Sequence, residues 1–413
     1  MMRTAGLRRF IAARTISMLG DRAAETALPM ILLLVTDSPL VAGMVTASNT
    51  LPALLFSLPV GHLVDTRERR RLMITADVWR AILGGGLAFA LLTPEPSVTL
   101  LVGITFLMGC GDVLFSVSSH AYLPALVPST RIMRANTALE AGDAAATLTG
   151  PALAGLLVAR FPHPVAIAVN AGSFGVSAAL LARLPATGVP RGDEANTDGE
   201  ERTVAAPNRF DVLAGFRLLI SERLQRLLQL ACLYTHLTAA TAALVVVTLC
   251  VQMLQLGSFR TGLVLSAAGV GGLLVTLVVT RFVEHLPWGP LLGGSLFGLG
   301  ATFLWLATAD GFVSAFLAVL CMDACSAFAF ITAGSVRQVF TPTALLGRLT
   351  AATGLVNAAV RAVAVLSGGA VLVWLGARTT AVVLGIMGLA CAVPLLVARS
   401  AREKIAGEPS PVP

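Results

Sequence analysis

Between residues 11 and 398 the chain repeats one pattern: a run of about twenty or more apolar residues, a short polar break, then another run. Such a run is the length that a helix needs to cross the hydrocarbon core of a bilayer. We read spans at 11–35, 39–64, 72–93, 97–123, 136–159, 163–184, 227–254, 258–281, 289–308, 311–338, 349–375 and 378–398. The expected fold is an all-α polytopic membrane protein, because only helices and closed barrels satisfy every backbone polar group within lipid. Composition agrees. The chain is 56% hydrophobic and 12% charged, about half the charged share of a soluble domain, so its outside as well as its inside is apolar.

Three segments organise the pattern: a six-span bundle at 1–184, a polar linker at 185–226, and a second bundle with a polar tail at 227–413. Arg191 to Arg202 is charged and glycine-containing, as flexible linkers are. After it, Phe210, Leu213, Phe216, Leu219 and Ile220 alternate with Arg209, Arg217, Arg223 and Arg226 at helical spacing, which predicts an amphipathic helix on the membrane surface. Pro128 and Arg134 precede one span as Pro342 and Arg348 precede another, 214 residues later. This faint repeat makes the fifth span of each half equivalent, a known transporter design.

The net charge of +7 does not indicate a nucleic-acid partner, because the arginines sit in loops between spans. Arg3, Arg8, Arg9, Arg67, Arg69, Arg70, Arg71, Arg131, Arg134, Arg281, Arg337, Arg348 and the linker fall on one side, against Arg160, Arg260 and Arg378 on the other. That asymmetry places both termini and the linker in the cytoplasm, hence a bacterial inner-membrane location. Cys110, Cys232, Cys250, Cys321, Cys325 and Cys391 all lie in apolar runs with no metal or disulfide spacing. No cleavable leader, Walker loop, His-Glu-x-x-His or Gly-x-Ser-x-Gly is present, so neither a cofactor nor an enzyme activity is expected. Trp79, Trp288, Trp305 and Trp374 read as interface anchors toward span ends.

The loop after the second span reads Gly61-His-Leu-Val-Asp65-Thr-Arg67-Glu68-Arg69-Arg70-Arg71. Gly61 is expected to let the second helix approach a neighbour, Asp65 to end a helix and receive hydrogen bonds, and the arginines to meet lipid phosphates and acidic partners. The segment resembles the signature loop of the major facilitator superfamily, departing from it at Thr66 and Glu68. Arg14 to Asp21, Ala135 to Leu139 and Asn170 to Phe174 resemble the branch of drug:proton antiporters that holds macrolide-efflux proteins and the enterobactin exporter. Gly150-Pro151-Ala-Leu-Ala-Gly155 resembles the antiporter element of such exporters; the usual arginine of the fourth span is absent, and Asp112 lies in that region. The resemblance implies twelve helices in two six-helix bundles related by a pseudo-two-fold, with spans one, four, seven and ten lining a central cavity.

Charges within spans are costly, about 2.5–3.5 kcal/mol each on insertion scales, and so mark function or pairing. On the lining spans these are Asp21, Arg22, Glu25, Asp112, His236 and Asp323; Glu140, Asp143 and Arg361 stand beside them. Asp21 and Glu25, four apart, share a helix face and are read either as the proton-coupling site or as members of a structural ion pair with Arg22 or Arg361. Asp112 is a second candidate carboxylate. Asp323 with Arg361 reads as a structural pair across the second bundle. Glu140 and Asp143 either line the cytoplasmic mouth or snorkel toward it, and His236 is read as a pH sensor or as a packed residue. Asp77 and Arg80 are expected to join the network of the arginine loop. The function expected is proton-coupled export of an amphiphilic small molecule (a drug, a macrolide-like product or a siderophore) by a monomer. The alternatives are an importer or uniporter of a polar nutrient and, further off, a membrane enzyme.

Overall fold

The computed structural model describes residues 2–93, 96–127, 129–185, 216–282, 287–341 and 343–397. It is helical nearly throughout. The helices are α1 Met2–Thr36, α2 Pro39–Thr66, α3 Arg69–Ala90, α4 Val98–Leu126, α5 Ser129–Arg160, α6 Pro164–Leu181, α7 Arg223–Thr248, α8 Ser258–Phe282, α9 Trp288–Ala307 and α10 Phe312–Phe340. A last helical stretch, Thr343–Val397, breaks at Gly376, whose φ of 75° lies in the left-handed region; glycine adopts that region without steric cost. The break divides the stretch into α11 (343–375) and α12 (377–397). Ten helices are long and apolar enough to cross a bilayer, and one of the ten, Ala352–Val397, is the α11–α12 pair. Only α1 falls outside that set, its apolar run being interrupted by Arg14, Asp21, Arg22 and Glu25. Among the described residues there are thus twelve long helices, eleven of them apolar enough to span.

By internal contacts the chain forms two units, Met1–Glu200 with Val251–Ser266, and Glu201–Cys250 with Ala267–Pro413. In the first, α1 packs on α5 and α6, α3 on α4 and α6, and α2 on α4. In the second, α9 packs on α10 and α12, and α7 on α10, α11 and α12. The same pairings thus recur six helices later, which is the structural form of the faint sequence repeat. The end of α7 loosens into a π-helical turn, Leu249–Met253. There Gln252 donates to Asp37 at 3.1 Å, and the turn belongs to the first unit from Val251 onward.

Small residues set the helix spacing. A Cβ on Gly109 of α4 would press into the Asn49 carbonyl of α2, and one on Gly111 would meet the Arg80 side chain. Gly155 of α5 and Gly262 of α8 lie with their backbones in contact, and Gly262 abuts the Pro151 carbonyl. The Gly-Pro element therefore serves close packing, as small residues do between helices in lipid. Gly61 does not: nothing lies within 4 Å of a Cβ placed there. We predict that Gly109→Ala forces α2 and α4 apart at the cost of overpacking, about 1–3 kcal/mol. Gly85→Ala, with open space around it, should be neutral or slightly stabilising. Thermal unfolding of the two purified variants in detergent checks the contrast.

The arginine loop is a capping device. Arg69 donates to Ala121 O near the end of α4 at 3.0 Å, and Arg70 to Leu181 O at the end of α6 at 3.1 Å. Basic side chains favour helix C-termini because unpaired carbonyls and the dipole's negative end lie there. Arg71 pairs with Glu68 at 2.5 Å. Lipid phosphates and acidic partners were expected for these arginines; Arg71 has an acidic partner, whereas the described partners of Arg69 and Arg70 are backbone carbonyls. The Asp65 and Glu140 side chains lie outside the described residues, as does the linker before Phe216. Trp288 is buried, and Trp79 stands in the middle of α3, donating to Leu107 O at 2.8 Å. Neither is the exposed span-end anchor expected.

Candidate functional site

The charges of the first unit assemble into two linked networks. Arg80, three turns into α3, is the hub of the inner one. Its guanidinium donates to Asp77 on its own helix and to Asp112 Oδ1 on α4 at 2.9 Å, and it stands 3.8 Å from Asp21 Oδ2 on α1. The remaining oxygen of Asp112 accepts from Asn49 Nδ2 of α2 at 3.2 Å. The flat faces of the guanidinium are used too: its carbon lies 4.4 Å from the Phe115 ring centre and 4.2 Å from that of Phe174. Arginine suits this place because a planar cation both stacks on rings and forks to carboxylates. Gly111, having no Cβ, leaves room for its stem.

Arg22 of α1 is the hub of the outer network. It pairs with Asp143 of α5 at 3.0 Å and with Glu25, one turn along its own helix, at 3.1 Å. Gly150 permits the approach, since a Cβ there would meet Arg22 at 2.6 Å.

Exposure separates the two. Asp77 and Arg80 are 0% and 3% exposed, whereas Asp21, Asp112 and Asp143 are about one-third exposed and Glu25 is 63% exposed. The assembly thus has a dry end that no solute reaches and an open end that presents carboxylates. Charges at this depth are costly against lipid.

Several expectations change. Asp21 and Glu25 do not act as a facing pair: Asp21 turns to Arg80 and Glu25 to Arg22. Arg361 is not their partner. Asp77 and Arg80 do not join the loop network; they form the core of the bundle, and Arg80 supplies from α3 the buried guanidinium that α4 lacks. Among the described residues Asp323 and Arg361 make no ion pair. Asp323 instead accepts a hydrogen bond from the backbone of Gly272 on α8, while Arg361 lies on exposed α11 surface. His236 of α7 bonds Cys232 O through Nδ1 at 2.7 Å and meets the Phe330 ring edge-on at 5.0 Å. Sequence reading missed Asn49, Gln229 and Asn357, whose only signal was their polarity within apolar spans.

A chain of twelve long described helices in two sets with matching pairings, and with charges gathered on α1, α3, α4 and α5 of one set, has the make-up of a secondary transporter. The Major Facilitator Superfamily profile matches residues 10–365, and the chain belongs to that family. It is 26% identical over 412 residues to the uncharacterized MFS-type transporter YfiS of Bacillus subtilis strain 168, covering 96% of this chain and 94% of that one. It is also 24% identical over 159 residues to macrolide efflux protein A of Streptococcus pyogenes, across 38% of this chain and 39% of the relative. Among solved structures, the nucleoside transporter NupG superposes with a TM-score of 0.76 at 11% identity, covering 94% of this chain and 98% of that one; this likeness speaks to fold alone.

Proposed function

We propose that the protein exports an amphiphilic small molecule from the cytoplasm of a bacterium, driven by the inward return of protons. The observation that carries the reading is a charge imbalance. Among the described residues within the spans of the first unit, the carboxylates Asp21, Glu25, Asp77, Asp112 and Asp143 stand against the guanidinia of Arg14, Arg22 and Arg80. The uncompensated negative charge lies at the open end of the network, where protons and solute have access. Proton uptake there weakens the hold of Arg22 or Arg80 on its carboxylates. That couples protonation to the alternating access that the family resemblance implies. The partial likeness to a macrolide-efflux protein supports export over nutrient uptake. The arginine asymmetry of the loops supports cytoplasmic termini and linker, with bundles at 1–184 and 227–413 joined through 185–226.

The expected result in an efflux-deficient bacterial host is that expression raises tolerance to macrolides or other amphiphilic drugs. Glu25→Gln, at the most exposed carboxylate, should remove that tolerance while leaving the amount of membrane-inserted protein unchanged. If intracellular drug accumulation is the same with and without the transporter across a chemically diverse panel, export is the wrong assignment.

A further inference from the structure

We infer that the open face of the second unit is built to hold an anionic group of the transported molecule (a carboxylate, sulfonate or phosphate), with Arg361 and Arg337 as its cationic contacts. The inference deepens the exporter reading and rests on its assumption that this face meets substrate.

The first observation is a contrast between the units. Among the described residues every ion pair belongs to the first unit. The described acidic residues of the second are Glu222 and Asp310 at helix ends and Asp323, which is held by the Gly272 backbone. Among the described residues, therefore, neither Arg337 nor Arg361 pairs with a carboxylate. There Arg337 makes hydrogen bonds only to neutral groups, Gln229 Oε1 at 3.2 Å and Cys232 Sγ at 3.9 Å, and its buried Nε has no described partner. Arg361 has no hydrogen bond among the described residues. Arg361 lies within its span, where an arginine costs several kcal/mol unless it is paired or faces water, and Arg337 stands in the last turn of α10, at the cytoplasmic end of the same face. A cation within the span and one at its mouth can take a counter-ion supplied from outside.

The second observation is that these groups converge. Antiparallel helices α7 and α10 are in register through Gln225–Thr341, Gln229–Arg337 and His236–Phe330. The parallel pair α7 and α11 is in register through Gln229–Asn357 at 2.7 Å and the contact of Thr241 with Gly368. Arg361, one turn beyond Asn357, is thereby level with α7 just below His236. The chain Arg337–Gln229–Asn357 holds Arg337 and the helix carrying Arg361 in fixed relation. Beside them Gly334 has open space where a side chain would be. Two guanidinia, an imidazole and the Asn357 carboxamide at neighbouring levels of α7, α10 and α11 make a donor-rich set suited to oxyanions, which accept forked hydrogen bonds from arginine.

The test uses three ligands with the same apolar body: naphthalene-2-sulfonate, 2-naphthylmethanol and 2-naphthylmethylammonium. Binding is read from the thermal unfolding midpoint of the full-length protein in nonionic detergent. The sulfonate is expected to bind about tenfold more tightly than the alcohol, the gain of a charge-assisted contact in a partly wet site, with the ammonium weakest. Arg361→Gln should bring the sulfonate to the level of the alcohol without moving the ligand-free midpoint, and Arg361→Lys should keep most of the preference. Should Arg361→Gln not yield folded protein, the ranking of the three ligands on the unaltered protein decides by itself. A sulfonate no better than the alcohol, an ammonium that binds best, or no shift with any of the three overturns the inference. Those outcomes leave gradient-driven export untouched. Loss of export with the anion preference intact would instead overturn the transporter reading alone.

Discussion

Arg80→Gln is expected to abolish accumulation of folded protein. The substitution leaves Asp77, which has no exposed surface, as a charge sealed within the bundle. Breaking a buried pair by removing one partner costs about 3–5 kcal/mol, a large part of the 5–15 kcal/mol or so by which folded domains are stable. The loss is compounded because Phe115 and Phe174 forfeit the cation between them, and because Asp112 and Asp21 lose the guanidinium that draws α4 and α1 toward α3. Lysine is not an adequate substitute, having neither the planar face nor the fork. The double variant Asp77→Asn/Arg80→Gln should recover much of the fold, since it removes both charges together. Size-exclusion profiles and thermal unfolding of tagged variants check this. A monodisperse Arg80→Gln protein with an unchanged midpoint would show that the inner network is dispensable for folding.

The outer network leads to the second large effect. Glu25, Asp21 and Asp143 have solvent access, and their cations are shared: Arg22 between Glu25 and Asp143, Arg80 among Asp21, Asp77 and Asp112. A shared cation can change partners as one carboxylate gains or loses a proton, and on the proposed mechanism that exchange shifts α1 against α5 or α3. Neutralising Asp21 or Glu25 fixes one end of that exchange. The expected consequence is a protein that still folds and still binds its substrate but no longer draws on the proton gradient.

The architecture was legible in the sequence, and the contacts were not. Apolar runs of spanning length, proline and glycine breaks and arginine-bearing loops mark eleven of the twelve helices directly, because lipid imposes one length and one polarity on every span. The charges of α1 were visible as interruptions of its run. Which charge meets which was not visible. Arg80 looked like part of the cytoplasmic loop, being near it in sequence, yet α3 begins at Arg69 and carries Arg80 about 16 Å along its axis at 1.5 Å per residue. Its partners come from α1 and α4, and only tertiary packing brings them together. Asp323 and Arg361 were matched on charge alone. The structure places Asp323 on the α8 side of α10 and Arg361 on α11 level with α7, so opposite signs on neighbouring spans did not amount to a pair. Gly61 was given a packing role by analogy with other membrane glycines, whereas close approach occurs at Gly109, Gly111, Gly150 and Gly155, where a neighbour's backbone or stem fills the missing Cβ.

Flux in proteoliposomes under an imposed pH gradient tests the central claim most directly. The purified protein is reconstituted, a panel of radiolabelled macrolides and other amphiphiles is supplied, and uptake into vesicles is followed with the gradient present, collapsed by a protonophore, or reversed. The account predicts that uptake of at least one compound follows the gradient and stops when it is collapsed. Asp21→Asn or Glu25→Gln should reduce gradient-driven uptake to the background of empty vesicles while substrate exchange at equal pH persists. Uptake that ignores the gradient, with both variants indistinguishable from the unaltered protein, would contradict proton coupling through α1.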